Sequence, residues 1–251
     1  MLSLRVRQRE ELNCQIVHDS LHRRSGWTLS YLLERGGIVL GFGSIAVAGP
    51  WKDKPTLFEF YVLPEHRLRA FEIFAVLLAE CGAQFFEAQT NDALLLAMVL
   101  TWGSQIESEK IVFHDRFTTA LTMPGASLRC LIPGEEVQQA LARRQGGGEW
   151  VLELEGKDVG KGGILFHYNV PYGDIYMEVD ESVRRRGLGS YLVQELKREA
   201  WKLGAIPTAR CNPSNVGSRQ TLQKAGFVPF AHILIGRFAR GNGDPRVPKA
   251  L

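Results

Sequence analysis

Hydrophobic positions recur at two distinct periods along this chain. Residues 10–24 look helical, and Trp27–Leu33 and Ile38–Val47 read as two strands joined by a turn at Arg35-Gly36-Gly37. After the loop Trp51-Lys52-Asp53-Lys54-Pro55, Thr56–Leu63 reads as a third strand. Helix is predicted from about Arg69 to Cys81, strand at Phe85–Ala88 and helix again from Asp92 to Trp102. Two short strands, Lys110–Phe113 and Phe117–Leu121, close this half. A strand at Leu128–Ile132, a helix at Glu135–Gln145 and a Gly146-Gly147-Gly148 turn precede Trp150. Ile175-Tyr176-Met177-Glu178-Val179 alternates as a strand. Beyond it, Leu188, Leu192, Leu196, Ala200 and Leu203 mark one helical face, and Gln194, Glu195, Lys197, Arg198 and Lys202 fill the other. Pro207–Asn212 reads as a short strand, and Asn215 opens a helix ending near Gln223. The tail Ala239–Leu251 is expected to be loosely ordered.

The second half repeats the order of the first. Tyr31-Leu32-Leu33-Glu34 through Gly37, Leu40-Gly41-x-Gly43-x-Ile45 aligns without gaps on Trp150-Val151-Leu152-Glu153 through Gly156, Val159-Gly160-x-Gly162-x-Ile164. Cys81-Gly82-Ala83 then matches Leu203-Gly204-Ala205, and the offset stays close to 120 residues. A repeat of that length is a duplicated domain rather than a solenoid unit. The turn cluster Pro124-Gly125-Ala126 is the expected join, dividing the chain into domains 1–124 and 125–251. Two helices of the first copy, around 71–78 and 94–100, have almost no polar face. Such helices are either deep in their own core or packed against the other half or a second subunit.

Composition narrows the class. A chain of 251 residues with 45% hydrophobic content suits a soluble globular protein. The most apolar run, Ala93–Leu100, is far too short to span a bilayer, and Met1–Arg7 lacks a signal-peptide core, so a cytoplasmic location is expected. Cys14, Cys81, Cys130 and Cys211 are scattered, which reads as reduced thiols rather than disulfides or zinc ligands. His18 and His22 lie four apart on the first predicted helix, without a third ligand nearby; a solvated helix face is expected, and no metal. The net charge of +3 neither demands nor excludes an acidic partner.

The basic, glycine-rich stretch Arg184-Arg185-Arg186-Gly187-Leu188-Gly189-Ser190 lies between a strand and the start of a helix. A helix N-terminus leaves N–H groups unpaired at the positive end of its dipole, which favours phosphate. Gly187 and Gly189 allow close backbone approach, and the arginines add charge. A P-loop is excluded because Ser190-Tyr191 stands where Lys-Ser/Thr is needed. A dinucleotide fingerprint is excluded by spacing and position. Nucleic acid is not expected as a partner, since no interleaved aromatic residues or broad basic stripe accompany the arginines.

The stretch resembles the acetyl-CoA signature of the GNAT superfamily of N-acetyltransferases, Gln/Arg-x-x-Gly-x-Gly/Ala, at Arg184, Gly187 and Gly189. The continuation, Asn215-Val216-Gly217-Ser218 through Lys224-Ala225-Gly226-Phe227, looks like the family's next segment. The resemblance covers the chain as a tandem protein. It implies an α/β (α+β) fold with two GNAT-type domains, each a mixed, mostly antiparallel sheet flanked by helices. It further implies transfer of an acetyl group from acetyl-CoA to a primary amine by direct attack. By the same resemblance, backbone groups of Met177, Glu178 and Val179 would hold pantetheine and thioester, and Arg184, Arg185, Arg186, Gly187, Leu188, Gly189 and Ser190 the pyrophosphate. Asn212, Asn215 and Ser218 would complete the cofactor site. The first copy reads Pro64-Glu65-His66-Arg67-Leu68-Arg69-Ala70-Phe71 at the cradle, without glycine, and is expected to be non-catalytic.

A carboxylate serves as base when its surroundings favour the neutral form or when it acts through water. Glu178 leads, with Asp174, Asp180 and His167 as rivals. The position where many members of the family carry a proton-donating tyrosine is Leu222. That departure keeps open a non-catalytic acyl-CoA-binding or interaction module, as well as transfer of a longer acyl group or transfer to an alcohol. The acceptor, a small molecule or a protein amine, would be selected partly by Asn169-Val170-Pro171-Tyr172-Gly173. The chain is expected to be a monomer or homodimer.

Overall fold

A computed structural model describes residues 1–131 and 149–238. The expected helix at 135–145, the glycine turn at 146–148 and the tail from 239 lie outside the described residues. The chain forms two compact units, Met1–Glu109 with the chain from Ala231 onward, and Lys110–Phe230.

The first unit contains α1 (Leu2–Leu12), β1 (Thr28–Arg35), β2 (Ile38–Ala46), β3 (Thr56–Val62), α2 (Ala70–Cys81), β4 (Phe85–Gln89) and α3 (Ala93–Trp102). Strands β1, β2 and β3 are antiparallel, and β3 then pairs in parallel with β4. The second unit contains β6 (Ala126–Cys130), β7 (Glu149–Leu154), β8 (Lys157–Leu165), β9 (Tyr172–Val179), α4 (Leu188–Lys202), β10 (Ile206–Cys211) and α5 (Val216–Lys224). Here β6 to β9 are antiparallel and β9 pairs in parallel with β10. The expected mixed, mostly antiparallel sheet is present in both.

The closing strands are exchanged. β5 (Gly103–Asp115) supplies Ile111–His114 as the antiparallel neighbour of β10 in the second unit. β11 (Phe227–Phe238) returns Ile233–Arg237 to β4 in the first. The compact units therefore depart from a cut at 124/125, which would strip β10 and β4 of their outer partners. Sequence periodicity cannot report this, because a strand's pairing partner is chosen by long-range packing.

Of the two strands expected at 110–113 and 117–121, the first is the end of the long strand β5, and the second is not a strand but a segment held by side chains. Gln194 of α4 accepts a bond from the Leu121 amide at 2.7 Å and donates to its carbonyl at 3.0 Å. Lys197 Nζ meets Asp115 at 2.6 Å, the Phe117 carbonyl at 2.8 Å and the Ala225 carbonyl at 2.7 Å. Both side chains are buried, where the helical pattern placed them on a solvated face. Their polar ends have enough partners to offset desolvation. Gly226 belongs to this clasp: at φ +90, a Cβ there would lie 2.0 Å from the Phe117 carbonyl oxygen. On the opposite side of α4, Leu192 and Leu196 are fully buried in the second unit's core, each contributing about 1.5–3 kcal/mol by burial.

In the first unit, α1 ends at Leu12 with Asn13 left-handed, so the helix expected over 10–24 is not formed. His18 is itself left-handed and contacts Glu87, while His22 bonds Glu59 at 2.7 Å. The two histidines thus partner carboxylates instead of lying on a solvated helix face. Helices α2 and α3 bury Ile73, Phe74, Leu77, Leu95 and Met98 but leave Phe71, Val76 and Leu100 exposed. Among the described residues no helix is long and apolar enough to cross a membrane.

Buried Asp92 caps α3, accepting the Leu95 amide at 3.0 Å. Burial pushes its carboxyl up to about 6, opposed by the Leu95 bond and reinforced by Glu59. The folded chain then holds a proton that the unfolded chain has lost. The resulting stability is complete below pH 3.8 and disappears as pH rises to about 6. Asp92→Asn keeps the capping oxygen and removes the buried charge. It should unfold like wild type near pH 4 and be more stable by about 2 kcal/mol at pH 7–8, read from denaturant midpoints at both pH values.

Candidate functional site

The site begins where two parallel strands part. β9 and β10 pair from Tyr172/Ile206 to Ile175/Ala209 and no further, while β9 continues against β8 to Val179. The β10-facing backbone groups of Met177, Glu178 and Val179 therefore lie beyond the parallel ladder. A main-chain edge of this kind can bond the amides of an extended ligand.

A phosphate-sized cradle follows at the C-terminal end of β9. Arg185 at φ 65 and Gly187 at φ 86 both take left-handed conformations before α4 begins. Among the described residues no side chain caps this helix, so the first-turn amides of Leu188, Gly189 and Ser190 are available to an anion. Gly189 packs closely beneath α5, where a Cβ would meet Thr221 at 3.3 Å. Asn215 starts α5, its side-chain oxygen accepting the Ser218 amide at 2.9 Å. Together these elements line a groove of about 700 Å³.

The groove gathers Met177, Glu178, Val179, Arg184, Arg185, Gly187, Leu188, Gly189, Ser190, Asn215 and Ser218. Arg186 and Asn212 are not in its lining; Asn212 instead accepts a bond from Lys110. Val183, Gly217, Gln220, Thr221 and Lys224 also line it, and sequence reasoning missed them. Gln220, Thr221 and Lys224 carried a usable signal, recurring at helical spacing on the face of α5 that follows its Asn215 cap. Arg184 has a second task, since its Nε donates to the Val179 carbonyl at 2.9 Å and its Nη1 meets Glu181 at 2.9 Å. Its guanidinium ties the cradle loop to the end of β9.

Residues 119–227 match the family model described as the Acetyltransferase (GNAT) family. Residues 119–227 are thus a GNAT acetyltransferase domain. That makes the protein an acyltransferase by class. Across nearly its whole length the fold is similar to that of solved GNAT structures. A GNAT-family acetyltransferase from Colwellia psychrerythraea superposes with a TM-score of 0.70 at 16% identity, covering 95% of this chain and 97% of that one. A tandem GNAT protein from the clavulanic acid biosynthesis pathway gives 0.57 at 16% identity, covering 90% and 87%. A GCN5-related N-acetyltransferase from Sphaerobacter thermophilus gives 0.56 at 14% identity, covering 87% and 83%. No curated protein matches the sequence significantly.

Within the GNAT domain, the candidate proton-handling groups separate by environment. Glu178 is exposed beside the groove, with Lys161 Nζ at 3.6 Å. Asp180 is exposed at the strand's end. Asp174 is buried, accepting from Arg210 Nε at 3.1 Å and lying 3.1 Å from His167 Nε2. Leu222 is buried in the core, so the family's tyrosine position carries no donor here. The Tyr176 hydroxyl bonds Glu149 at 3.2 Å, and burial raises its pKa. Burial likewise raises Cys211, with Ser218 opposing. Among the described residues no cluster of His, Cys, Asp or Glu could hold a metal.

The first unit shows the same construction without the same opening. Its parallel ladder also stops early, at Leu57/Phe86, and Arg67 Nε donates to the Val62 carbonyl at 3.0 Å as Arg184 does to Val179. At the cradle, however, a tight turn over Pro64–Arg69 replaces the glycine loop, and Arg69 pairs with Glu72 in the first turn of α2. Beyond the last rung, the buried segment Cys14–Val17 lies against β4. Gln89 donates to the Gln15 carbonyl at 2.9 Å and accepts the Val17 amide. A cavity of about 20 Å³ remains there, room for about one water.

Gly187→Val forces a β-branched residue into a left-handed position at the cradle. It should raise the Kd for acetyl-CoA at least about tenfold, roughly 1.4 kcal/mol, in titration calorimetry of a chain that still melts cooperatively.

Proposed function

We propose that the second unit is an acetyl-CoA-dependent N-acetyltransferase that transfers an acetyl group to a primary amine by direct attack. The observation that carries this reading is the parting of β9 from β10 at Ile175/Ala209, immediately before an uncapped glycine-bearing helix start. The groove supplies a main-chain edge for two amides in series, then helix-terminal N–H groups for a pyrophosphate. Acetyl-CoA has those chemical features in that order, and when bound it supplies a thioester carbon open to an amine. Met177, Glu178 and Val179 would hold the pantetheine arm and orient the thioester through their backbone. Arg185, Gly187, Leu188, Gly189 and Ser190 would hold the pyrophosphate, with Asn215 and Ser218 along the arm.

Glu178 is the proposed proton acceptor. It stands at the groove, where it could take a proton from the incoming ammonium directly or through water. Asp174 is engaged by Arg210 and His167, which leaves it less suited to that task. The leaving thiolate is proposed to take its proton from water. The buried Leu222 favours one second reading, a domain that binds acyl-CoA without turnover. Thiol release from acetyl-CoA over a panel of primary amines separates the two readings. The cytoplasmic setting and a monomeric or homodimeric state belong to the same proposal.

Glu178→Gln keeps the strand and removes the acceptor. It should lower kcat by about two to four orders of magnitude while leaving acetyl-CoA affinity unchanged. Turnover near wild type across the pH range would assign the role elsewhere.

The first unit is proposed to be non-catalytic, because its cradle lacks glycine and its opening is filled by residues 14–17. Native mass spectrometry of the full chain should then show one acetyl-CoA per chain. Two equivalent sites would contradict the reading.

A further inference from the structure

The last paired rungs of β9 and β10 carry a buried polar cluster. Asp174, on the rung next to the last, is 4% exposed and points to the face of the sheet away from α4. Its Oδ2 lies 3.1 Å from Arg210 Nε on β10 and 3.1 Å from His167 Nε2, in the connection between β8 and β9. Tyr168, fully buried, stacks edge-on against His167 and beneath the Arg210 guanidinium. On the same rung Thr208 donates to the Gly173 carbonyl at 2.9 Å. Arg210 is the first β10 residue past the fork, and its backbone is in register with Val112 of β5 on the other side.

One carboxylate thus joins the β8–β9 connection, β9 and β10 at the point where the parallel ladder stops. Counting from the last rung, the corresponding places in the first unit are Thr56 and Glu87, where no carboxylate–guanidinium pair can form, and Glu87 contacts His18. The cross-fork pair is therefore a feature of the open copy, not of the shared fold. A buried carboxylate bonded by Arg210 Nε resists sliding, because any shift of β10 breaks that bond while the carboxylate stays desolvated.

We infer that Asp174 is a positioning residue that fixes, through Arg210 and His167, where β9 and β10 separate and hence where the main chain of Met177 to Val179 presents itself to the thioester. This rests on the acetyltransferase reading of the groove. Cofactor affinity comes mainly from the cradle at Gly187–Ser190, which Asp174 does not touch. Loss of the clamp should therefore appear in kcat far more than in binding.

The test compares wild type with Asp174→Asn and Arg210→Lys, each as the full chain with acetyl-CoA and a panel of primary amines. Asp174→Asn should lower kcat at saturating acetyl-CoA by about ten- to a hundredfold, with the acetyl-CoA Kd changed less than about threefold. Arg210→Lys keeps the charge and should retain part of that activity. Hydrogen exchange supplies a readout independent of turnover. Acetyl-CoA should protect the amides of Met177–Val179 in wild type, and this protection should fall in Asp174→Asn while that of α4 persists. If Asp174→Asn does not fold, the same split between kcat and Kd is expected from Arg210→Lys. Equal ligand protection in folded variants, or kcat within about twofold of wild type, overturns the inference. Absence of acetyl-CoA binding by wild type overturns the reading beneath it, and the inference with it.

Discussion

A parallel β-ladder that stops early is the constraint on which this structure depends. In a sheet, each backbone N–H and C=O is normally satisfied by a neighbouring strand. Past Ile175/Ala209 that satisfaction ends for β9 on one side, while β8 holds the other side to Val179. The strand is thus held on one side by β8 and has an edge to offer on the other. Everything at the groove follows from that edge: the cradle at the strand's end, the close packing of α5 on Gly189, and the tie from Arg184 back to the Val179 carbonyl.

The duplicated unit shows what else can be done with the same edge. At Leu57/Phe86 the ladder stops in the same way, but the chain's own residues 14–17 satisfy Gln89 and fill the place. The two copies thus resolve one hydrogen-bonding problem differently. One leaves a groove of about 700 Å³ and the other a cavity of about 20 Å³. Glycine at the helix start accompanies the first solution, and Arg69 with Glu72 the second.

Much of this was legible in the residues. Alternation located nearly every strand of the first unit to within two residues, and the glycine pattern around Gly41 and Gly160 exposed the duplication. The cradle was readable because its chemistry is local: a strand end, a left-handed glycine and a helix N-terminus lie within one short stretch. Lys197 and Gln194 were not readable, since a helical wheel assigns polar residues to solvent unless a buried carbonyl is there to receive them. The same holds for the short helix α1, where Asn13 turns left-handed and His18 and His22 are drawn to Glu87 and Glu59.

By itself, then, the sequence determined the local devices: amphipathic stripes, the N-caps at Asp92 and Asn215, the glycine that must adopt positive φ, and the repeat that pairs them. These depend on neighbours a few residues apart. Tertiary structure decided that β5 and β11 close one another's units, that Arg186 and Asn212 stay out of the groove, and that Asp174 faces Arg210 across the fork. Each of those depends on which distant segment desolvates a polar group and supplies its partner, and no periodicity along the chain encodes that choice.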